Sequence, residues 1–244
     1  GAPTDVQPEH APAAAVAASV QTPRAVELDE RDRTIFHETM AWARAERLDT
    51  LPLGEIIVRV GQRFVDTPYV PGTLDVEGEE RLVVNLRGLD CVTYVENVLA
   101  ISRLIQRGQD DFDAFLAELA RIRYRGGEIA GYPSRLHYFS DWIVDNQEMG
   151  LVRDVTRELG GERDAEPIAF MSNNLEAYRQ LADPANLAEI RRIEDRISDR
   201  PRYVIPESRI AQVESGIRNG DIIAATSTLP GLDEIGRASC RERV

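Results

Sequence analysis

The 244-residue sequence contains no lysine, so all 29 of its basic residues are arginine. That absence removes Schiff-base lysines, Ser-Lys dyads and the phosphate-gripping lysine of a P-loop. Histidine is scarce, at His10, His37 and His137 only, and cysteine is limited to Cys91 and Cys240. Two cysteines so far apart form neither a zinc-ligand spacing nor a redox pair, and no metal or organic cofactor is indicated. No apolar run approaches the roughly 18 residues that span a bilayer. Positive charge is outweighed, with 42 acidic residues and a net charge of -13. Such a surface repels phosphate backbones and argues against a nucleic-acid partner. What is present, 43% hydrophobic residues over this length, suffices for one large core or two small ones.

Residues 1–25 read as a disordered Ala/Pro-rich leader with few large apolar groups to offset the entropy of ordering. No basic segment followed by an apolar one marks a signal peptide within it. From residue 26 the chain becomes patterned. Asp29 is placed to cap a helix with Phe36, Met40 and Ala43 on one stripe and Trp42 beside it. His37 falls in this helix and is given no role. A second helix follows Pro52, where Leu53, Ile56, Ile57, Val60 and Phe64 recur at helical spacing. Thr67-Pro68-Tyr69 lies beyond its end. A Gly/Pro-containing acidic loop over 71–80 leads to a strand over 81–86, with Leu82, Val84 and Leu86 on one face. Helices are predicted from about Cys91 to Gly108, with Val95, Leu99 and Leu104 inward, and over about 111–124, stopped by Gly126-Gly127. Residues 128–149 are aromatic and less regular. Further strands are expected at 151–159 and 202–205, and helices at 173–181 and 185–198. The run Ile222-Ile223-Ala224-Ala225 suits a strand buried on both faces. Helices first and strands late make the fold class α+β.

Cys91 opens its helix. A thiol there faces unpaired backbone N–H groups and the positive end of the helix dipole, which favour the nucleophilic thiolate. Asp90 opposes this unless it turns away to cap the helix, the natural geometry for Asp at that place. Position alone leaves two readings open, a nucleophile and a buried structural cysteine.

The stretch Thr67-Pro68-Tyr69-Val70-Pro71-Gly72-Thr73-Leu74, followed by Leu89-Asp90-Cys91, resembles the NlpC-type papain-like cell-wall hydrolases. More closely, the chain resembles their N-acetylmuramoyl-L-alanine amidase-like branch. The residues that carry this are Asn85-Leu86-Arg87-Gly88-Leu89-Asp90-Cys91-Val92-Thr93-Tyr94-Val95-Glu96, Ser134-Arg135-Leu136-His137-Tyr138 with Asp141-Trp142, Gly220-Asp221-Ile222-Ile223-Ala224, and Gly231-Leu232-Asp233. The resemblance implies a papain-like scaffold over residues 26–233, helical in its first half, with an antiparallel sheet that is incomplete in this chain. It implies Cys91 as nucleophile against the bond joining the lactyl group of N-acetylmuramic acid to L-alanine in cell-wall muropeptides, with a histidine moving the proton. Tyr69 would line the cleft; a packed aromatic is the other reading. Arg135 and His137 would lie on the substrate side, or else the segment is structural, with Leu136, Phe139 and Ile143 packing inward. A cell-wall substrate implies a periplasmic or otherwise exported protein.

The pattern departs at its end. The family's base histidine follows Gly-Leu-Asp by three residues, and here Glu234 to Val244 contains none. This Arg-rich string, residues 234–244, resembles a translated sequencing adapter and is expected to be non-native, with the domain truncated before its end. Two expectations follow: the chain as written lacks amidase turnover, and the edge at Ile222–Ala225 is exposed and lowers solubility. A non-catalytic muropeptide-binding protein on the same scaffold and a helical interaction domain with a packed cysteine are the alternatives.

Overall fold

The computed structural model describes residue 23 and residues 26–225. Apart from Pro23, the leader expected over 1–25 lies outside the described residues, as do Gly231-Leu232-Asp233 and the string after them.

Four helices build the larger core. Helix α1 (Glu30–Ala45) starts at Asp29, whose side chain accepts from the Arg31 amide while Asp32 accepts from the Asp29 amide, a closed capping box. Phe36, Met40 and Ala43 are buried on its inner stripe, and His37 is exposed. Helix α2 (Leu53–Arg63) buries Ile56, Ile57 and Val60, with Phe64 just past its last turn. Helix α3 (Cys91–Gln106) packs against both α2 and α4 (Phe112–Arg123), and α1 lies across α3 and α4. Val95, Val98, Leu99, Ala100, Ile101, Leu104 and Ile105 are all buried on α3, which is therefore central rather than one-sided.

Two two-stranded sheets flank the helices, so the chain is helix-rich α+β. Strand β1 (Val26–Glu27) pairs in parallel with β2 (Leu82–Val83), a partner that the local pattern did not announce. The strand expected over 81–86 shrinks to those two residues. Its one-faced alternation also fails, since Val83 is buried along with Leu82, Val84 and Leu86. Farther on, the aromatic stretch contains a helix that the sequence did not suggest, α5 (Phe139–Glu148), with Phe139, Trp142 and Asn146 buried. The strand expected at 151–159 is replaced by turns, in which Asp154 Oδ1 accepts from the Thr156 amide and offers the backbone an alternative to a ladder. The strand lies later, as β3 (Glu162–Asp164), antiparallel to β4 (Arg202–Val204). The helix expected at 173–181 is broken into α6 (Phe170–Asn173) and two 3-10 turns, where Asn174 turns back to donate to the Phe170 carbonyl. Helix α7 (Pro184–Asp199) matches its expected span, capped by Asp183 with proline at its first position. With α6 it encloses a second core of Tyr138, Ile168, Met171, Leu181, Ile190, Ile193 and Ile197.

Ile222–Ala225 is not a strand buried on both faces. Ile222 and Ile223 are half-buried and Ala224 and Ala225 exposed. The segment is held instead by its approach to α2. The Asn219 amide donates to Glu55 Oε1 at 2.9 Å, and a Cβ on Gly54 would sit 2.2 Å from the Asn219 carbonyl oxygen. Among the described residues, no helix is long and apolar enough to cross a membrane.

A buried ion pair crosses this core. Arg123 Nε donates to Glu96 Oε2 at 2.6 Å and its Nη1 to the Val83 carbonyl at 2.6 Å, joining α4, α3 and β2 with both residues 1% exposed. Removing one partner of such a pair leaves an uncompensated charge. Glu96→Ala is therefore expected to lower the unfolding free energy by about 3–5 kcal/mol. Urea denaturation checks this as a lower midpoint, and an unchanged midpoint would show that the pair does not hold these elements together.

Candidate active site

The site is built at the start of α3. Asp90 does turn away to cap the helix: its Oδ1 accepts from the amides of Val92 (3.1 Å) and Thr93 (2.8 Å), and the Thr93 hydroxyl accepts from the Asp90 amide. Cys91 is thus the first residue of a firmly capped helix, half-exposed. Its own amide lies among the helix N–H groups that no intrahelical carbonyl can reach.

The loop ahead of Cys91 is held from two sides. On one, Asp32 is fully buried, and its Oδ1 accepts from the Leu86 amide (2.9 Å) and Arg87 Nε (3.0 Å). Asn85 Oδ1 then collects the amides of Arg87 and Gly88, both at 3.0 Å, closing the turn. On the other side, residues 68–70 lie alongside Leu89: the Leu89 amide donates to the Pro68 carbonyl and the Val70 amide to the Leu89 carbonyl. Gly88 is required there, because a Cβ would meet the Val70 side chain at 2.6 Å. This clip brings Tyr69, 70% exposed, to the same end of α3 as Cys91.

Arg135 is tied to the 71–80 loop that follows Tyr69, whereas His137 is held against Tyr132. Arg135 is 8% exposed. Its Nη2 donates to Asp75 Oδ1 at 3.0 Å, and its Nε lies 3.2 Å from Glu80 Oε1 without the alignment of a hydrogen bond. Its charge is thus answered by two carboxylates of the loop that follows Tyr69. Burial pushes the Glu80 carboxyl up, opposed by Arg135 and by the Tyr124 hydroxyl that donates to it. His137 is half-buried, its ring 4.3 Å from that of Tyr132, and its Nε2 donates to the Tyr132 carbonyl at 2.9 Å. Burial first, and the Arg135 guanidinium second, hold the imidazole well below its ordinary 6.5. The ring is then neutral with Nδ1 as its one lone pair. Leu136 and Phe139 are buried and Ile143 packs beside them, so the segment also serves the core.

Asp32, Glu80 and Tyr132 are site-building residues that the sequence did not single out. Only Asp32 carried a local signal, three residues after the capping Asp29. Among the described residues, no group of three or more His, Cys, Asp or Glu side chains is arranged to hold a metal ion.

A family model described as AmiA-like, N-acetylmuramoyl-L-alanine amidase-like, matches residues 59–235. Among solved structures, the chain is similar to an N-acetylmuramoyl-L-alanine amidase from Bacteroides uniformis, at 38% identity over 75% of this chain and 78% of that one, with a TM-score of 0.70. It is similar to a protein from Bacteroides fragilis provisionally described as a xylanase, at 39% identity over 73% of this chain and 79% of that one, with a TM-score of 0.68. A protein from Legionella pneumophila shares the fold at 21% identity, over 85% of this chain and 77% of that one, with a TM-score of 0.54. No curated protein matches.

Two outcomes are expected from this geometry. Asp32→Ala strands the Leu86 amide and takes from Arg87 the nearer of its two carboxylates, and should cost about 1–3 kcal/mol in chemical denaturation; a loss within about 0.5 kcal/mol would remove Asp32 from the support of the loop. For His137, the unfolded chain takes up a proton near 6.5 whereas the folded one resists it. Its contribution to stability is therefore complete above that pH and is lost as pH falls below it, levelling off under the folded value. Unfolding free energies of the wild type and His137→Gln, measured between about pH 7.5 and 5, should diverge on acidification, the wild type losing more. Parallel curves would contradict a buried neutral imidazole.

Proposed function

The chain belongs to the AmiA-like, N-acetylmuramoyl-L-alanine amidase-like family, and from that premise we propose a cysteine amidase of the NlpC-type, papain-like class. Its substrate is a peptidoglycan-derived muropeptide, and the bond is the one between the lactyl group of N-acetylmuramic acid and L-alanine. The observation that carries this reading is the half-exposed Cys91 at the first position of a helix whose cap, Asp90, spends its charge on the Val92 and Thr93 amides. The thiolate attacks the lactyl carbonyl carbon, and the oxyanion that forms is held by the Cys91 amide. Collapse breaks the C–N bond and expels L-alanine's amine, which leaves only if a proton reaches it. Water then hydrolyses the thioester. In this reading Tyr69 lines the entrance beside Leu89, and Arg135, with the 71–80 loop it holds, and His137 lie on the substrate side. A cell-wall substrate places the reaction in the periplasm or outside the cell.

The proton step sets this chain apart. No histidine follows Gly231-Leu232-Asp233, and the His137 Nε2 is taken by the Tyr132 carbonyl. This sequence is therefore read as a cysteine amidase by family, with an activated thiol and with turnover expected to be absent. With Cys240 replaced by serine, iodoacetamide should label Cys91 with a midpoint below the roughly 8.5 of an ordinary cysteine, and an N-acetylmuramoyl-L-alanine peptide should remain intact by mass spectrometry. An ordinary midpoint, or a thiol that does not react, ends the nucleophile reading. Cleavage that survives His137→Ala and disappears in Cys91→Ser would show that another group moves the proton.

A further inference from the structure

Away from Cys91, a cavity of about 260 Å³ lies between α5, the end of α7 and the turn after α4, lined by Arg125, Asp141, Asp145, Glu148, Arg196 and Arg200. It is smaller than the roughly 300–1,000 Å³ of drug-sized pockets, so any occupant is small. Its lining is wholly charged, three guanidiniums against three carboxylates, yet the charges do not pair off. Asp141 is buried and takes two arginines at once, Arg125 Nη2 at 2.6 Å and Arg200 Nη1 at 3.4 Å. Arg196 has no ion pair among the described residues, and its Nη2 is shut away from solvent with no hydrogen-bond partner. Arg196 as a whole is half-buried, but a buried N–H left without an acceptor costs free energy that an anion at the site would offset. Opposite, Asp145 has only the backbone amide of Gly126 as a hydrogen-bond donor, and Glu148 is exposed at the rim. One side of the cavity therefore has cationic charge to spare and the other anionic charge.

We propose that this cavity binds the zwitterionic end of an α-amino acid, its carboxylate against Arg196 and the Arg125–Arg200 pair and its ammonium against Asp145 and Glu148. A lone anion would meet the two carboxylates, and a lone cation the guanidiniums; a molecule carrying both charges on either side of one carbon atom avoids both mismatches. Ordinary interhelical salt bridges would instead have closed Arg196 onto Asp145 or Glu148, as Arg125 closes onto Asp141. The site stands apart from the amidase reading and does not depend on it. Its ligand is a free α-amino acid, because an ordinary peptide carries its ammonium and its carboxylate on different residues.

Calorimetric titration of the full chain with L-alanine, acetate and methylammonium tests the site, and L-alanyl-L-alanine, whose two charges sit on different residues, should bind more weakly than L-alanine. L-alanine should bind about tenfold or more tightly than either half-ligand, and Arg196→Gln should weaken it by a similar factor. Glu148→Gln should weaken L-alanine while leaving acetate unchanged or stronger. Thermal unfolding of Arg196→Gln at or above the wild-type midpoint shows that lost binding is not lost folding, since the change removes an unpartnered charge. The proposal is overturned if L-alanine does not bind in the tens of millimolar, if acetate binds equally well, or if both variants bind like the wild type.

Discussion

A single buried carboxylate, Asp32, joins the beginning of the ordered chain to the loop that presents Cys91. It closes the capping box of α1 with one oxygen and receives the Leu86 amide and Arg87 with the other. The Leu86 amide is buried with it, and Arg87, which also lies 3.8 Å from Asp29, is drawn to the same carboxylate. The loop is therefore set relative to α1 before α3 begins, and the direction of α3 follows from it. Everything placed at that end, the Asp90 cap, the half-exposed thiol and the Tyr69 strand segment, inherits its position from this contact.

The second constraint is electrostatic. The chain has many arginines and more carboxylates, and its interior uses them in pairs: Arg123 with Glu96, Arg103 with Glu118, Arg135 with Asp75 and Glu80. Each pair spans elements distant in sequence, so the long polar side chains work as ties where a smaller chain would use apolar contacts. The 71–80 loop shows the consequence for function. It carries no regular structure, yet Arg135 draws Asp75 and Glu80 inward, and Tyr124 donates to Glu80 from below. A loop anchored in this way can border a substrate cleft without losing its shape, which fits the amidase-like family to which the chain belongs.

Elements were legible wherever local chemistry and burial agree. Asp29, Asp90, Asp111 and Asp183 all stand before helices, and each one caps. The stripe on α2 is read directly from Ile56, Ile57 and Val60. Legibility failed where the partner lies far along the chain. Strand β2 is short because its partner among the described residues is the two-residue β1, fifty-six residues earlier by the pairing of Val26 with Leu82. Helix α5 was hidden because Tyr132-Pro133 and the aromatic run before it break the pattern, and its buried face includes Asn146, whose Nδ2 donates to the Ile122 and Trp142 carbonyls. The run at Ile222–Ala225 looked like a buried strand, but hydropathy alone does not supply the neighbours that would cover it.

The amino-acid order by itself determined the helix starts, the position of Cys91 on the first turn of a helix, the acidic surface and the family resemblance, since these depend on residues within one or two turns of each other or on a linear motif. Only the tertiary structure decided which carboxylates meet which arginines, that Arg135 is already held by Asp75 and Glu80, and that the His137 ring donates to Tyr132. Those outcomes depend on burial and on contacts between segments far apart in the chain, sixty residues in the case of Arg135 and Asp75, and desolvation, which gives such contacts their strength, exists only once the chain has closed around them.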